Sequence, residues 1–386
     1  MDIKLSDYAP STFKGDTPAR RDLIDDRLPR GKVVMLAGAG DVGKSFLLLQ
    51  LFNAVNDGME DMAFGGVVTD GRSPRPITPS KHDLDEWGRV IHRFPCIIFM
   101  GEDDRESIDL RLKAIRNECG SSIDHGAIIP VPNIKDSMTF VKRDFDGSIV
   151  PTEAFKWLDS QLEALRAQFG TLGFVAVDTF SSLLPIDANK PEEVQAALSL
   201  FTGLAARHDV CIIITHHLNK GFGQDKSPEG LRTSIRGTTA LVDGVRAAYV
   251  MYKRNEEDAK ALCDELGIEK ALDVVELRIV KNNLGLKTTP VTYVRLPDGV
   301  LMDVSMLMAQ RSSPEEALLQ VIRDANKVGL TIQKTGADGV FASRLPSWPS
   351  GLGSWPKAKL ESLVTKLESG GQIKRDKSGL TAIETA

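Results

Sequence analysis

The chain has 386 residues, of which 42% are hydrophobic and 26% charged, and a formal net charge of −5. That size and apolar content exclude a wholly disordered chain or a small stapled scaffold, and predict two or three domains with a sizeable core. The acidic balance argues against a protein that coats nucleic acid through a basic surface, although it leaves room for local basic loops. Residues 1–30 lack clear periodicity and hold Pro10, Pro18 and Pro29, so they read as an arm leading into a core. An apolar run, Lys32–Ala37, then meets a Gly-rich turn and a helical pattern from Lys44 onward. Residues 59–95 form a long Gly/Pro-containing connection, read as a surface insertion with one short helix near Asp83–Ile91.

The run Cys96–Met100 precedes a helix with Ile108, Leu112 and Ile115 on one face. A short run, Ala127–Val131, comes next, followed by a helix from Thr152 with Phe155, Leu158, Leu162 and Leu165 in register. Strands follow at Phe174–Val177 and Val210–Ile214, with a helix around Val194–Ala206 between them. Two further strands fall at Ala247–Tyr252 and Val274–Val280, with a polar helix at Asn255–Leu266 between them. A hairpin at Thr289–Val294 and Val300–Val304 completes the core. Alternating strands and helices predict an α/β fold, and continuous apolar strands predict a mostly parallel sheet covered on both faces. The domain boundaries expected are an arm over 1–30, a core over 31–310 and a mildly basic C-terminal unit over 311–386. In that last unit, helices at Pro314–Val328 and Trp355–Ser369 precede a small hairpin at 373–383, the order of a winged-helix module that binds DNA or protein.

Cys96, Cys119, Cys211 and Cys263 are widely separated, so neither a zinc site nor a disulfide framework is indicated. The opening residues carry no apolar leader core, and no run of 18 apolar residues exists. A cytoplasmic protein without a membrane span is therefore expected.

The strongest local signal is Gly38-Ala39-Gly40-Asp41-Val42-Gly43-Lys44-Ser45, followed by Phe46. It fits GxxxxGK[ST], the P-loop, and lies between a strand and a helix as that motif requires. Backbone N–H groups of such a loop wrap phosphates in front of a helix N-terminus. Lys44 then reaches the β- and γ-phosphates of ATP, and the Ser45 hydroxyl ligates magnesium. Asp178 ends the apolar strand Phe174–Val177, the position from which an acid holds the ion or its water. Gly101-Glu102-Asp103-Asp104 follows the strand Cys96–Met100. Glu102, nearest the strand, is the candidate base for the attacking water, whereas Asp103, Asp104 and Glu106 suit a helix N-terminus.

His216 and His217 follow the strand Cys211–Thr215, at the sheet edge where open α/β folds bind ligands. Adjacent strand residues point to opposite faces, so one of the two faces the phosphate crevice. The polar stretch Gly221–Ile235 lies beside them, with Lys220, Lys226 and Arg232 as candidate contacts to a nucleic-acid backbone, or as a plain solvated loop.

The order of these motifs resembles RecA-like ATPases, and within them plasmid RepA-type hexameric replicative helicases and their phage relatives. The resemblance spans roughly residues 12–290 and runs through Phe13–Arg21, the P-loop, GEDD, VAVDTF, THHLNKG, SIRGTTALVDGVR and VKNNLG. It implies a RecA-like P-loop core and an ATP hydrolase acting as a DNA helicase. It also implies magnesium, a homo-oligomeric, hexameric ring and single-stranded DNA as partner, with a replication or loading partner at the C-terminal unit. Glu102 matches the catalytic glutamate and His217 the γ-phosphate sensor, with His216 still open. Arg236 resembles an arginine near the subunit interface. In Lys281-Asn282-Asn283-Leu284-Gly285 an Asn stands at the arginine position of the KxRxG element that many ring helicases carry, so Arg236, Arg246 and Lys281 all remain candidates for a finger acting in trans. The alternative reading is a RecA-like ATPase that regulates recombination, repair or transcription without unwinding DNA. A small-molecule phosphotransferase is a more distant rival.

Overall fold

The computed structural model describes residues 20–57, 64–66, 68, 94–119, 128–132, 138–219, 225–266, 268, 271–305, 308, 314–327, 329, 331–335, 340, 357–377 and 379–383. The lead-in segment 13–19, the helix expected near 83–91 and Lys220 lie outside them. The chain forms two compact units, residues 1–260 with 270–303, and residues 261–269 with 304–386.

The first unit opens with β1 (Asp22–Ile24), β2 (Leu28–Pro29), β3 (Val33–Gly38) and α1 (Lys44–Asp57). It continues through β4 (Cys96–Met100), α2 (Arg105–Cys119), β5 (Ile128–Pro132), β6 (Val141–Arg143), β7 (Ile149–Pro151) and α3 (Glu153–Phe169). Next come β8 (Phe174–Asp178), α4 (Phe180–Leu183), α5 (Pro191–His208), β9 (Cys211–His217), α6 (Pro228–Thr233) and α7 (Thr239–Asp243). After β10 (Ala247–Lys253) comes α8 (Glu256–Leu266), whose residues from 261 onward belong to the second unit, and the first unit closes with β11 (Asp273–Asn282), β12 (Val291–Arg295) and β13 (Leu301–Asp303).

Among the described residues, nine strands form one sheet in the order β13-β12-β11-β10-β3-β9-β8-β4-β5. The strands from β10 to β5 are parallel throughout, and β11, β12 and β13 extend the sheet antiparallel. Parallel strands covered on both faces need apolar side chains at every position. In β3, Val34 and Leu36 enter one core with α1 and α2, while Val33, Met35 and Ala37 enter the other with α3 and α5. The helices start where local chemistry allows. The Thr152 hydroxyl caps α3 by accepting from the Phe155 N–H, and Pro191 opens α5.

The sequence pattern predicts no element between residue 131 and Thr152. The structure forms a hairpin there, β6 against β7, with Phe140 buried beneath it. The signal is Asp146-Gly147 between two short runs, too brief to stand out by periodicity.

The second unit contains α9 (Pro314–Lys327), α10 (Lys357–Ser369), and β14 (Ile373–Arg375) paired antiparallel with β15 (Leu380–Ala382). Leu318, Ile322, Leu360, Val364, Ile373 and Leu380 form its core. Ile332 adds a bridge to Leu380. Asn326 of α9 fastens the hairpin, donating to Leu380 O at 3.0 Å and accepting from Ala382 N at 2.9 Å. Among the described residues, no helix is long and apolar enough to cross a membrane.

Candidate active site

The site is built at the C-terminal ends of four neighbouring parallel strands. β3 leads into the loop Gly38–Gly43 and then into α1. β9 lies between β3 and β8, and β4 lies beyond β8. The register puts Gly38 beside His217 and Asp178 beside Met100, so residues far apart in sequence end at one edge.

Two glycines are required by the loop itself. A Cβ on Gly38 would stand 2.8 Å from Val42 Cγ1 and 3.1 Å from Met251 O. Gly43 has a φ of +95°, a conformation that L residues rarely adopt. Gly40 is open to solvent on its Cβ side. The loop delivers its chain to the N-terminus of the 14-residue helix α1, a natural anion site. Lys44 is buried, and its Nζ donates to Gly38 O at 3.1 Å and Ala39 O at 2.9 Å. Burial lowers its pKa, opposed by the charges of Asp178 and Glu102. Val42 is fully buried, whereas Phe46 packs half-buried beneath the Arg111 guanidinium, 5.6 Å from its ring centroid.

Asp178 is 4% exposed at the end of β8. Its Oδ2 accepts from Ser45 Oγ at 2.6 Å and its Oδ1 accepts from Thr215 Oγ1 at 2.5 Å. Burial raises its pKa, while those two hydroxyls and Lys44 favour the charged form. A hydroxyl beside a carboxylate in a lysine-lined crevice supplies hard oxygen donors, a set that fits magnesium.

Glu102 stands just past β4 and is 55% exposed. Thr179 Oγ1 and Ser182 Oγ each donate to its Oε1 at 2.9 Å. His217 Nε2 lies 3.7 Å from the same oxygen. Burial alone pushes the Glu102 carboxyl up, but the hydroxyl hydrogen bonds and His217 outweigh it and leave the pKa below the ordinary value. The neighbouring acids turn elsewhere. Asp103 makes a two-point contact with Arg111, and Asp104 accepts from the Ser107 N–H at 2.8 Å at the start of α2.

The two histidines part company. His217 faces Glu102, whereas the His216 ring is 2% exposed and bonds through Nε2 to Arg236 O at 2.9 Å. Its buried Nδ1 has no hydrogen-bond partner among the described residues. Burial pushes the His216 pKa down to about 4, against an ordinary 6.5. Between those values the unfolded chain binds a proton that the folded one refuses, so stability falls as pH drops from 6.5 towards 4. His216→Asn is expected to flatten that part of the profile. Urea midpoints at pH 7, 6 and 5 measure it, and an unchanged slope assigns the effect to another group.

The segment after His217 is rooted on the same strand end. Leu218 bridges Ile235, and Arg236 N donates to His217 O at 3.0 Å. Within it, Lys226 lies over the Tyr252 ring at 5.1 Å, and Arg232 pairs with Asp243 at 2.7 Å. Arg236 and Arg246 are exposed. Lys281 instead donates to Val242 O at 3.0 Å and Asp243 O at 2.8 Å, at the end of α7.

Thr179, Ser182 and Thr215 were not foreseen from the sequence. A signal for Thr215 existed, since it shares a strand face with His217 two residues on. Also unforeseen are Lys253 and Arg295, which hold the Asp41 side chain.

A sequence model of the AAA domain family matches residues 3–76 and 77–222. Among solved structures, the one described as the ATPase domain of G40P aligns with a TM-score of 0.46 at 14% identity. That alignment covers 76% of this chain and 95% of the other. No curated protein matches the chain in sequence.

Proposed function

The chain belongs to the AAA domain family, and from that premise we propose that it is an ATP-dependent motor on single-stranded DNA, working as a homo-oligomeric, hexameric ring in replication of a plasmid or phage-type element. One observation carries this reading. His217 stands 3.7 Å from Glu102, and its own carbonyl anchors Arg236 at the root of the loop expected to meet DNA. A change at the γ-phosphate would therefore have a short route to that loop, through His217 and its hydrogen bond to Arg236.

In this reading the N–H groups of Gly40–Ser45 and the Lys44 ammonium bind the phosphates of ATP. Ser45 and Asp178 would hold magnesium, which neutralises charge on the phosphoryl oxygens when bound. Glu102, steadied by Thr179 and Ser182, orients the attacking water and accepts its proton. His217 senses whether the γ-phosphate is present. Arg236, which is exposed, is the arginine offered to a neighbouring subunit, a role that contributes about 10³–10⁵ in rate where it operates. Lys220, Lys226 and Arg232 contact the DNA backbone. The free thiols of Cys96, Cys211 and Cys263 agree with a cytoplasmic setting.

The C-terminal unit is read as a winged helix that docks a replication or loading partner. Its support is the bridge from Ile332 to the β14–β15 hairpin, which gives that hairpin a third strand position behind two helices.

The test is steady-state ATP hydrolysis with and without single-stranded DNA at low and moderate salt. Stimulation that fades as salt rises is the expected result. Turnover indifferent to DNA would instead favour a regulatory ATPase. That second reading has its own observation, because Arg232 and Lys226 are already engaged with Asp243 and Tyr252. Strand displacement on forked DNA separates the two, and ATP-dependent assembly in light scattering checks the ring.

A further inference from the structure

Asp41 is an unusual residue for the middle of a phosphate-binding loop. It is non-glycine at a φ of +61°, and its carboxylate adds negative charge where a triphosphate would bind. The side chain is 80% exposed, yet it is held. Lys253 Nζ, at the end of β10, donates to Asp41 Oδ2 at 3.1 Å. Arg295 Nη1, at the end of β12, donates to Asp41 Oδ1 at 3.2 Å and to the Asp41 carbonyl at 2.8 Å. Both cations also reach Asp273, with Lys253 at 3.0 Å and Arg295 through Nη2. Two cations and two carboxylates thus close a cluster with no net charge. Hydrogen bonds from Arg295 and Lys253 lower the Asp41 pKa, so the acid stays ionised.

The hairpin that carries Arg295 supports α1 as well. Gln50 exchanges two hydrogen bonds with the Leu301 backbone, at 2.7 and 2.8 Å. A Cβ on Gly299 would fall 2.5 Å from the Phe46 ring, and one on Gly43 would meet Leu301 at 3.4 Å. The β12–β13 hairpin therefore lies directly behind the loop and the first turn of α1.

We propose that Arg295, seconded by Lys253, is a positioning residue of the P-loop: it fixes the Asp41 peptide in its left-handed conformation and cancels the Asp41 charge, so that the loop amides stay aimed at the phosphates. The inference rests on the reading of this loop as a nucleotide site. It has two physical parts, because Arg295 holds both the carbonyl and the carboxylate of one residue. Loss of Arg295 frees a peptide that favours another conformation and leaves Asp41 less compensated beside the ligand.

The experiment measures binding of a non-hydrolysable ATP analogue to the full chain by calorimetry, with melting temperature as the folding control. Arg295→Gln is expected to weaken binding about tenfold, and KM for ATP should rise more than kcat falls. Asp41→Asn in the same protein is expected to recover about threefold of that loss, because the uncompensated charge is gone. A purely structural role for Arg295 predicts no such recovery. Affinity equal to wild type, or no recovery on adding Asp41→Asn, overturns the proposal. Should Arg295→Gln fail to fold, Lys253→Gln takes its place, with about a threefold loss that Asp41→Asn again reverses; unchanged affinity overturns the proposal there too. Lys44→Ala separates the two levels of failure. Wild-type binding no better than Lys44→Ala removes the nucleotide reading and this inference with it. Wild-type binding that Arg295→Gln matches removes this inference alone.

Discussion

Glu102→Gln is expected to bind ATP and to hydrolyse it about 10²–10⁴ times more slowly, the range that a positioned general base contributes. The substitution is nearly isosteric. Its amide oxygen can still accept from Thr179 and Ser182, which both reach Oε1 at 2.9 Å, so the local structure is preserved. What disappears is the capacity to take a proton from water. The Glu102 carboxyl, held below its ordinary pKa, is ionised at neutral pH and ready to accept that proton. Nucleotide binding measured beside turnover separates the two functions. Full activity in this variant would move the base elsewhere. Loss of binding together with turnover would mean that Glu102 supports the loop rather than the chemistry.

A second large effect lies in the core that holds the strands in place. Phe201→Ala should destabilise the first unit by about 3–5 kcal/mol, the usual range for deleting a buried ring. Phe201 is fully buried on α5 and meets Phe155 and Phe140 edge-on, at ring-centroid distances of 5.4 and 5.9 Å. Phe140 in turn meets Phe99 of β4 at 4.8 Å. The chain of rings thus joins α3, α5 and the β6–β7 hairpin to the strand that ends beside Glu102, and each edge-to-face pair adds to the burial term. Amide exchange of β8 and β9 reads the first unit separately from the second. Leu110→Ala is the control, since Leu110 is 66% exposed and its loss should cost within about 0.5 kcal/mol. Equal effects from the two would show that the ring cluster contributes little.

These predictions draw unequally on the sequence. Gly38–Ser45 needs only eight consecutive residues, and the glycines and lysine there are dictated by what a phosphate-wrapping loop demands. The strands of the parallel core are legible for a similar reason, because burial on both faces leaves uninterrupted runs such as Cys96–Met100 and Phe174–Val177. The β6–β7 hairpin was hidden because three-residue strands hold too few positions to display a period.

Lys226 and Arg232 mark the limit of such reading. Their charges are visible in the sequence, but charge does not say whether a cation faces solvent, an aromatic ring or an acid. The fold lays one on Tyr252 and the other against Asp243. Likewise, two adjacent histidines establish that one faces the crevice without saying which. The strand register decides that His217 turns to Glu102 and His216 to Arg236.

By itself, then, the sequence determined the phosphate loop, the apolar strands and the α/β alternation, since each follows from interactions among near neighbours. The tertiary structure alone decided that Ser45, Asp178 and Thr215 meet, that Thr179 and Ser182 hold Glu102, and that Arg295 reaches back to Asp41. The physical reason is that strand order sets these contacts. Placing β9 between β3 and β8 gathers Ser45, Thr215 and Asp178, and the run β12-β11-β10-β3 brings Arg295 to Asp41 across 254 residues, and no local pattern carries that order.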